Sequence, residues 1–133
     1  MIVDTSALLA IAWDEPERGR FEDAVDADPV RLISAASVLE GAIVMMGRAG
    51  RAAAPQALSR LHELLDQLGL EIEPVSAPQI RLAELAFSSF GKGLNPAGLN
   101  FGDCFVYALA KETGEAVLFK GDDFARTDLV SAL

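Results

Sequence analysis

The chain's 133 residues suffice for one domain, and with 51% hydrophobic residues it can bury roughly two thirds of its unfolded surface without a covalent staple. A single cysteine, Cys104, excludes an internal disulfide and offers no metal-ligand spacing, and no apolar run approaches the ~20 residues of a bilayer span. Twenty acids against 11 Lys and Arg leave a net charge of −9, which argues against a protein that grips nucleic acid through a broad basic surface.

Met1–Val3 is a short apolar run that halts at Asp4-Thr5-Ser6, a set of helix-capping residues, and Ala7–Trp13 continues with helical character. No basic segment precedes this apolar start, so the sequence reads as that of a cytoplasmic protein. Pro16 and Glu17 open a second helix over about Glu17–Val25, and Arg31–Ser34 is a β-type run. Ser37-Val38-Leu39-Glu40 has the S-x-x-E form of a capping box, which predicts a helix from there to about Met46.

Gly47–Pro55 is rich in Gly, Ala and Arg and reads as a loop. Leu58, Leu61, Leu65 and Leu68 then recur at helical spacing, ended by Gly69. Leu70–Val75 predicts a strand, and Ser76-Ala77-Pro78-Gln79 caps a helix that carries Ile80, Ala83, Phe87 and Phe90 on one side. Gly91–Gly98 is a loop, Asn100 caps a helix over Phe101–Glu112, and Ala116–Phe119 is an apolar strand running into Gly121-Asp122-Asp123-Phe124. Leu129–Leu133 suits a last edge strand. Strands alternating with helices predict a single α/β domain over residues 1–133, with a parallel sheet and helices on both faces.

Four acids occupy equivalent places in that pattern. Asp4 and Asp122 lie just past strands, while Glu40 and Asp103 stand near the starts of helices that follow a strand or a loop. In an open parallel sheet such positions meet along one edge, where ligands bind. Converging carboxylates repel and raise one another's pKa unless a cation intervenes. Mg²⁺ takes oxygen ligands and is held by one or two carboxylates plus substrate phosphate, and a bound metal generates a nucleophile from water. A metal-assisted phosphodiester cleavage accommodates all four acids at once.

Each acid also has a local explanation: Asp4 as an N-cap, Glu40 as the partner in its capping box, Asp103 as a favourable charge in a first helical turn, Asp122 as a turn residue. Their joint placement carries the argument. Other chemistries lack parts. His62 is the only histidine and lies on the outer side of its helix, no G-x-S-x-G elbow occurs, and Gly91-Lys92-Gly93 lacks the phosphate-loop spacing. Met45 and Met46 read as packing residues.

Three segments resemble one family. Ile2-Val3-Asp4-Thr5-Ser6-Ala7-Leu8 is similar to the opening of a PIN domain. Leu99-Asn100-Phe101-Gly102-Asp103-Cys104-Phe105 and Leu118-Phe119-Lys120-Gly121-Asp122-Asp123-Phe124, with Thr127-Asp128, resemble the VapC branch of that family, and Ile33-Ser34 to Leu39-Glu40 follows the same order. The resemblance implies a PIN-like three-layer sandwich with a sheet of about five parallel strands, and RNA cleavage with Mg²⁺ or Mn²⁺. It implies inhibition by a cognate VapB-type antitoxin, the toxin role in such a pair, and a homodimer. The family's first three acids carry over to Asp4, Glu40 and Asp103, with Asp4 and Asp103 as metal ligands. The fourth is Asp122 or Asp123, with Asp122, nearer the strand end, preferred. Thr5 and Ser6 match a substrate-binding hydroxyl position.

Two other functions fit less of the chain. A phospho-acceptor receiver domain is of similar size, but Asp4 has no adjacent acid and no Asp follows Leu70–Val75. A non-catalytic PIN-like module binding RNA or protein is expected to have lost some of the acids, and all are present. An antitoxin segment is expected in a groove between the Val38–Met46 helix and the Leu58–Leu68 stripe, placing an Arg or Lys among Asp4, Glu40 and Asp103.

Overall fold

The fully apolar strands Ile2–Val3 and Val117–Leu118 can bury both faces only inside a layered sheet. In the computed structural model, which describes Met1–Leu133, β1 (Ile2–Val3), β2 (Leu32–Ser34), β3 (Glu71–Glu73) and β4 (Val117–Leu118) form a parallel sheet in the order β3-β2-β1-β4. Ile2 stands opposite Leu32 on one side and Val117 on the other.

Successive side chains of a strand point to opposite faces, and two hydrophobic cores follow. Val3, Ile33 and Leu118 face the helices α1 (Thr5–Ala12), α2 (Arg18–Ala27), α3 (Ala35–Ala49) and α4 (Ala54–Leu68), joining Leu8, Phe21, Val25, Met45, Leu61 and Leu65. Ile2 and Val117 face α5 (Ala77–Phe90) and α6 (Phe101–Thr113), joining Ala86, Leu99, Val106, Leu109 and Phe124. The result is the expected three-layer sandwich.

The chain steps outward from β1 to β2 to β3, then returns to β4 on the other side of β1. The segments leaving β1 and β4 therefore diverge at the carboxyl edge and open a crevice there. The Asp4 N–H donates to the Leu118 carbonyl at 2.9 Å and pins the two exits together below that crevice.

Several local expectations shift. Helix α3 starts at Ala35, with Ser34 as N-cap accepting from the Ala36 N–H, so Ser37 lies inside the helix and Ser37-x-x-Glu40 is no capping box. Ser34 reaches its cap directly from the end of β2, and the helix continues through the expected loop as far as Ala49. At α1 the cap is Asp4 itself, while Thr5 is already helical. The tail contributes one bridge, Ser131 beside Val117, so the sheet has four strands with a rudimentary fifth beyond β4.

Most of the stripe on α4 is core: Leu61, Leu65 and Leu68 are buried with Met45 of α3, leaving a shallow groove beside Trp13, Arg48, Ala57 and Arg60. No helix is long and apolar enough to cross a membrane.

Candidate active site

The crevice is a cleft of about 220 Å³, and Asp4, Glu40, Asp103 and Asp123 all line it, with Thr5, Ser6, Asn100 and Lys120. Leu9, Val44 and Phe124 supply apolar wall. Acids from four separate segments thus reach one site.

Asp4 arrives there because β1 ends in an extended residue that caps α1. Its Oδ2 accepts from the Ser6 N–H at 2.8 Å and from the Ser6 hydroxyl. The Ser6 hydroxyl accepts in turn from the Lys120 N–H at 2.9 Å, so the exits of β1 and β4 are joined a second time. Asp4 is 5% exposed, and burial pushes its carboxyl above the usual range, the nearby Glu40 adding to the rise while the Ser6 hydrogen bonds oppose it.

Asp103 belongs to a capping box at the start of α6. Its backbone N–H donates to Asn100 Oδ1 at 3.1 Å, and its Oδ2 accepts from the Asn100 N–H at 2.7 Å. Burial raises its pKa to about 6, against one opposing hydrogen bond from Asn100 and with help from Asp4, Asp123 and Glu40. The local role of Asp103 and its place in the cleft coexist, because a carboxylate has a second oxygen to offer.

Glu40 is half-buried on the second turn of α3, and its Oε2 accepts from the Thr5 hydroxyl at 2.7 Å. The two hydroxyls read from sequence as a substrate position, Thr5 and Ser6, are thus engaged in orienting Glu40 and Asp4. Thr5 itself is buried, 5% exposed, which leaves it little contact with an incoming chain.

The fourth acid departs from expectation. Asp123 lines the cleft and raises the pKa of Asp103, whereas Asp122 is exposed and absent from the lining. Gly121, at φ +104°, turns the chain sharply after β4. A short 3-10 helix, Phe124–Arg126, then begins with Asp123 as its N-cap. Phe124 is buried against Phe119, with ring centroids 5.3 Å apart, and this anchor fixes its neighbour Asp123 at the cleft. Nearness to the strand end in sequence is outweighed by the turn.

Gly102 was not singled out from sequence, although glycine is a poor helix former and so invites an explanation. A Cβ there would sit 2.7 Å from Glu40 Oε1 and 2.8 Å from Oε2. The missing side chain is the space the Glu40 carboxylate occupies. Gly102→Ala is expected to leave the helix intact and displace that carboxylate, lowering cleavage with an unchanged circular dichroism spectrum. Wild-type cleavage by this variant would remove Gly102 from the site.

Two buried acids with raised pKa values, beside two further carboxylates, suit a hard divalent ion chemically. No three of the four stand close enough together to form a ligand set by themselves.

Comparison with known proteins identifies the family. The PIN domain family model matches residues 1–130. The chain is 45% identical to VapC ribonuclease Mb0640 of Mycobacterium bovis, covering 98% of this chain and 97% of that protein. It is 46% identical to Ribonuclease VapC of Mycolicibacterium smegmatis, covering 98% of each. Its fold is similar to the crystal structure of the Mycobacterium tuberculosis sarcin-ricin loop cleaving toxin VapC20, with TM-score 0.70 and 22% identity over 97% of this chain and 95% of that one. With the family model and these relatives spanning nearly its whole length, the chain belongs to the PIN domain family, in its VapC ribonuclease branch.

Proposed function

We propose that this protein is a divalent-metal-dependent ribonuclease that cuts RNA phosphodiester bonds and serves as the toxin of a toxin–antitoxin pair. The observation that carries the reading is the meeting of Asp4, Glu40, Asp103 and Asp123 in one cleft at the carboxyl edge of the sheet, two of them buried with raised pKa values.

Asp4 and Asp103 are the residues that would hold Mg²⁺ or Mn²⁺, with Glu40 and Asp123 completing the acidic site. A bound ion of this kind supplies an activated water and stabilises charge on the leaving oxygen. The chain's own contribution is orientation. Ser6 fixes Asp4, Asn100 fixes Asp103, and Thr5 fixes Glu40 through Oε2, leaving Oε1 to accept a hydrogen bond from water or substrate.

Two partners follow in the same reading. A cognate antitoxin of the VapB type would run along Leu39, Ile43 and Val44, which remain exposed on α3 beside the cleft, and place a cation among the carboxylates. A second copy of the chain would cover the apolar groove between α5 and α6, lined by Ile80, Phe87, Phe101 and Phe105.

The test is cleavage of RNA by the purified protein. Cleavage is expected with Mg²⁺ or Mn²⁺, to stop on chelation, and to be suppressed when the product of the adjacent reading frame is co-expressed. Asp123→Asn should silence it and Asp122→Asn should not. Cleavage that survives chelation, or is lost with Asp122 and kept without Asp123, would overturn this mechanism.

A further inference from the structure

A phosphodiester chain entering this cleft meets four carboxylates, in a protein of net charge −9. Lys120 is the one cation among the side chains that line it. Its backbone is fixed in register with the site, since its N–H donates to the Ser6 hydroxyl that itself holds Asp4. Its ammonium is turned to Glu15 at 2.6 Å and Glu17 at 3.1 Å, in the segment between α1 and α2.

That arrangement is unbalanced. Two carboxylates on one ammonium leave a net negative charge at the rim of a site that must admit RNA. It is also easily opened: the three side chains are 39%, 32% and 38% exposed, so water screens the pairs and their net worth is small. Lysine suits such a transfer better than arginine, because it is a point charge on a flexible stem and binds phosphate as such. The other paired cations are committed away from the cleft, Arg18 to Asp14 and Glu22, Arg31 to Asp26, Lys111 to Asp128.

We propose that Lys120 is a phosphate-binding residue of the cleft, held by Glu15 and Glu17 in the free protein and passed from them to an RNA phosphate when substrate enters. The proposal rests on the ribonuclease reading above and adds to it the group that offsets substrate charge at the rim. Glu15 and Glu17 then act as competitors of the substrate, lowering affinity for RNA while keeping the ammonium out of the carboxylate ring.

The experiment is equilibrium binding of a short, labelled, single-stranded RNA of mixed sequence in chelator, so that nothing is cut, over a range of salt concentrations. Lys120→Gln is expected to weaken binding and to reduce the slope of log affinity against log salt by roughly 0.7, the value of one phosphate contact on a single strand. Lys120→Arg should keep the slope. Glu15→Gln with Glu17→Gln should bind several-fold more tightly than wild type, and that gain should vanish in the Lys120→Gln background, because it works by freeing the ammonium. In cleavage assays with metal, Lys120→Gln should raise KM and change kcat little.

A strap with only a structural role makes the opposite forecast: an unchanged salt slope for Lys120→Gln, and no gain from the glutamine pair. Either result overturns the proposal, as does a gain that persists without Lys120. Wild-type protein that neither binds nor cuts RNA would instead overturn the ribonuclease reading itself. Should Lys120→Gln fail to fold, the glutamine pair alone decides, since weaker or equal binding contradicts competition.

Discussion

Asp103→Asn is expected to abolish RNA cleavage while leaving the fold intact, and Asp4→Asn to do the same. Asparagine keeps the size of the side chain and one carbonyl acceptor. It can therefore still take the hydrogen bond that Asp103 accepts from the Asn100 N–H at 2.7 Å, or the one that Asp4 accepts from the Ser6 N–H at 2.8 Å. What it removes is the charge that would hold a divalent ion. In metal-free solution each variant should be at least as stable as wild type at neutral pH, because burial disfavours the ionised form of both acids. Cleavage rates and thermal unfolding of the same preparations check both halves. Full activity of Asp103→Asn would sink the metal site, and unfolding of both variants would show that these carboxylates serve structure first.

The second large effect is a pH-dependent stabilisation by metal. The folded-state pKa of Asp103 lies at about 6, above its ordinary value of 3.8. The folded protein therefore binds this proton more tightly than the unfolded chain. The stabilising contribution is fully present below the ordinary value and is lost as pH rises through about 6. The difference is worth on the order of 3 kcal/mol, and Asp4 shifts in the same direction.

Without metal, then, Asp103 favours the folded state more at pH 5 than at pH 7. With metal the order reverses, since the ion requires ionised ligands and competes with the proton. A ligand at a hundredfold excess over its Kd adds about 2.7 kcal/mol to a fold it alone recognises, which for a domain of this size is a rise in Tm of roughly 10 °C. Such a rise is expected at pH 7, should shrink toward pH 5, and should be absent in Asp103→Asn. A shift of equal size in that variant, or one independent of pH, would place the ion elsewhere.

The two effects share one cause, and it was only partly readable in the sequence. Where a role depends on neighbours in the chain, the residues announced it. The caps at Asn100 and at Ser76 both appear in the structure where local chemistry puts them, because their partners lie within three residues. The alternation of strands and helices likewise determined the layered parallel sheet, and with it the edge where acids could meet.

What the sequence left open depended on contacts across the fold. Glu40 resembled a capping partner of Ser37 until β2 delivered Ser34 as the cap, which left Glu40 to the hydroxyl of Thr5 on another helix. The role of Gly102 rests on that same carboxylate, since the space it vacates is filled by a residue of α3. Asp122 and Asp123 are alike as a dipeptide. Only the turn at Gly121 and the burial of Phe124 in the core beside α6 decide which one faces the cleft. Lys120 gains its meaning from Ser6, Glu15 and Glu17, more than a hundred residues earlier in the chain. Local hydrogen bonding and hydrophobic periodicity are written in adjacent residues. Charge convergence is a property of distances that exist only once the sheet has closed.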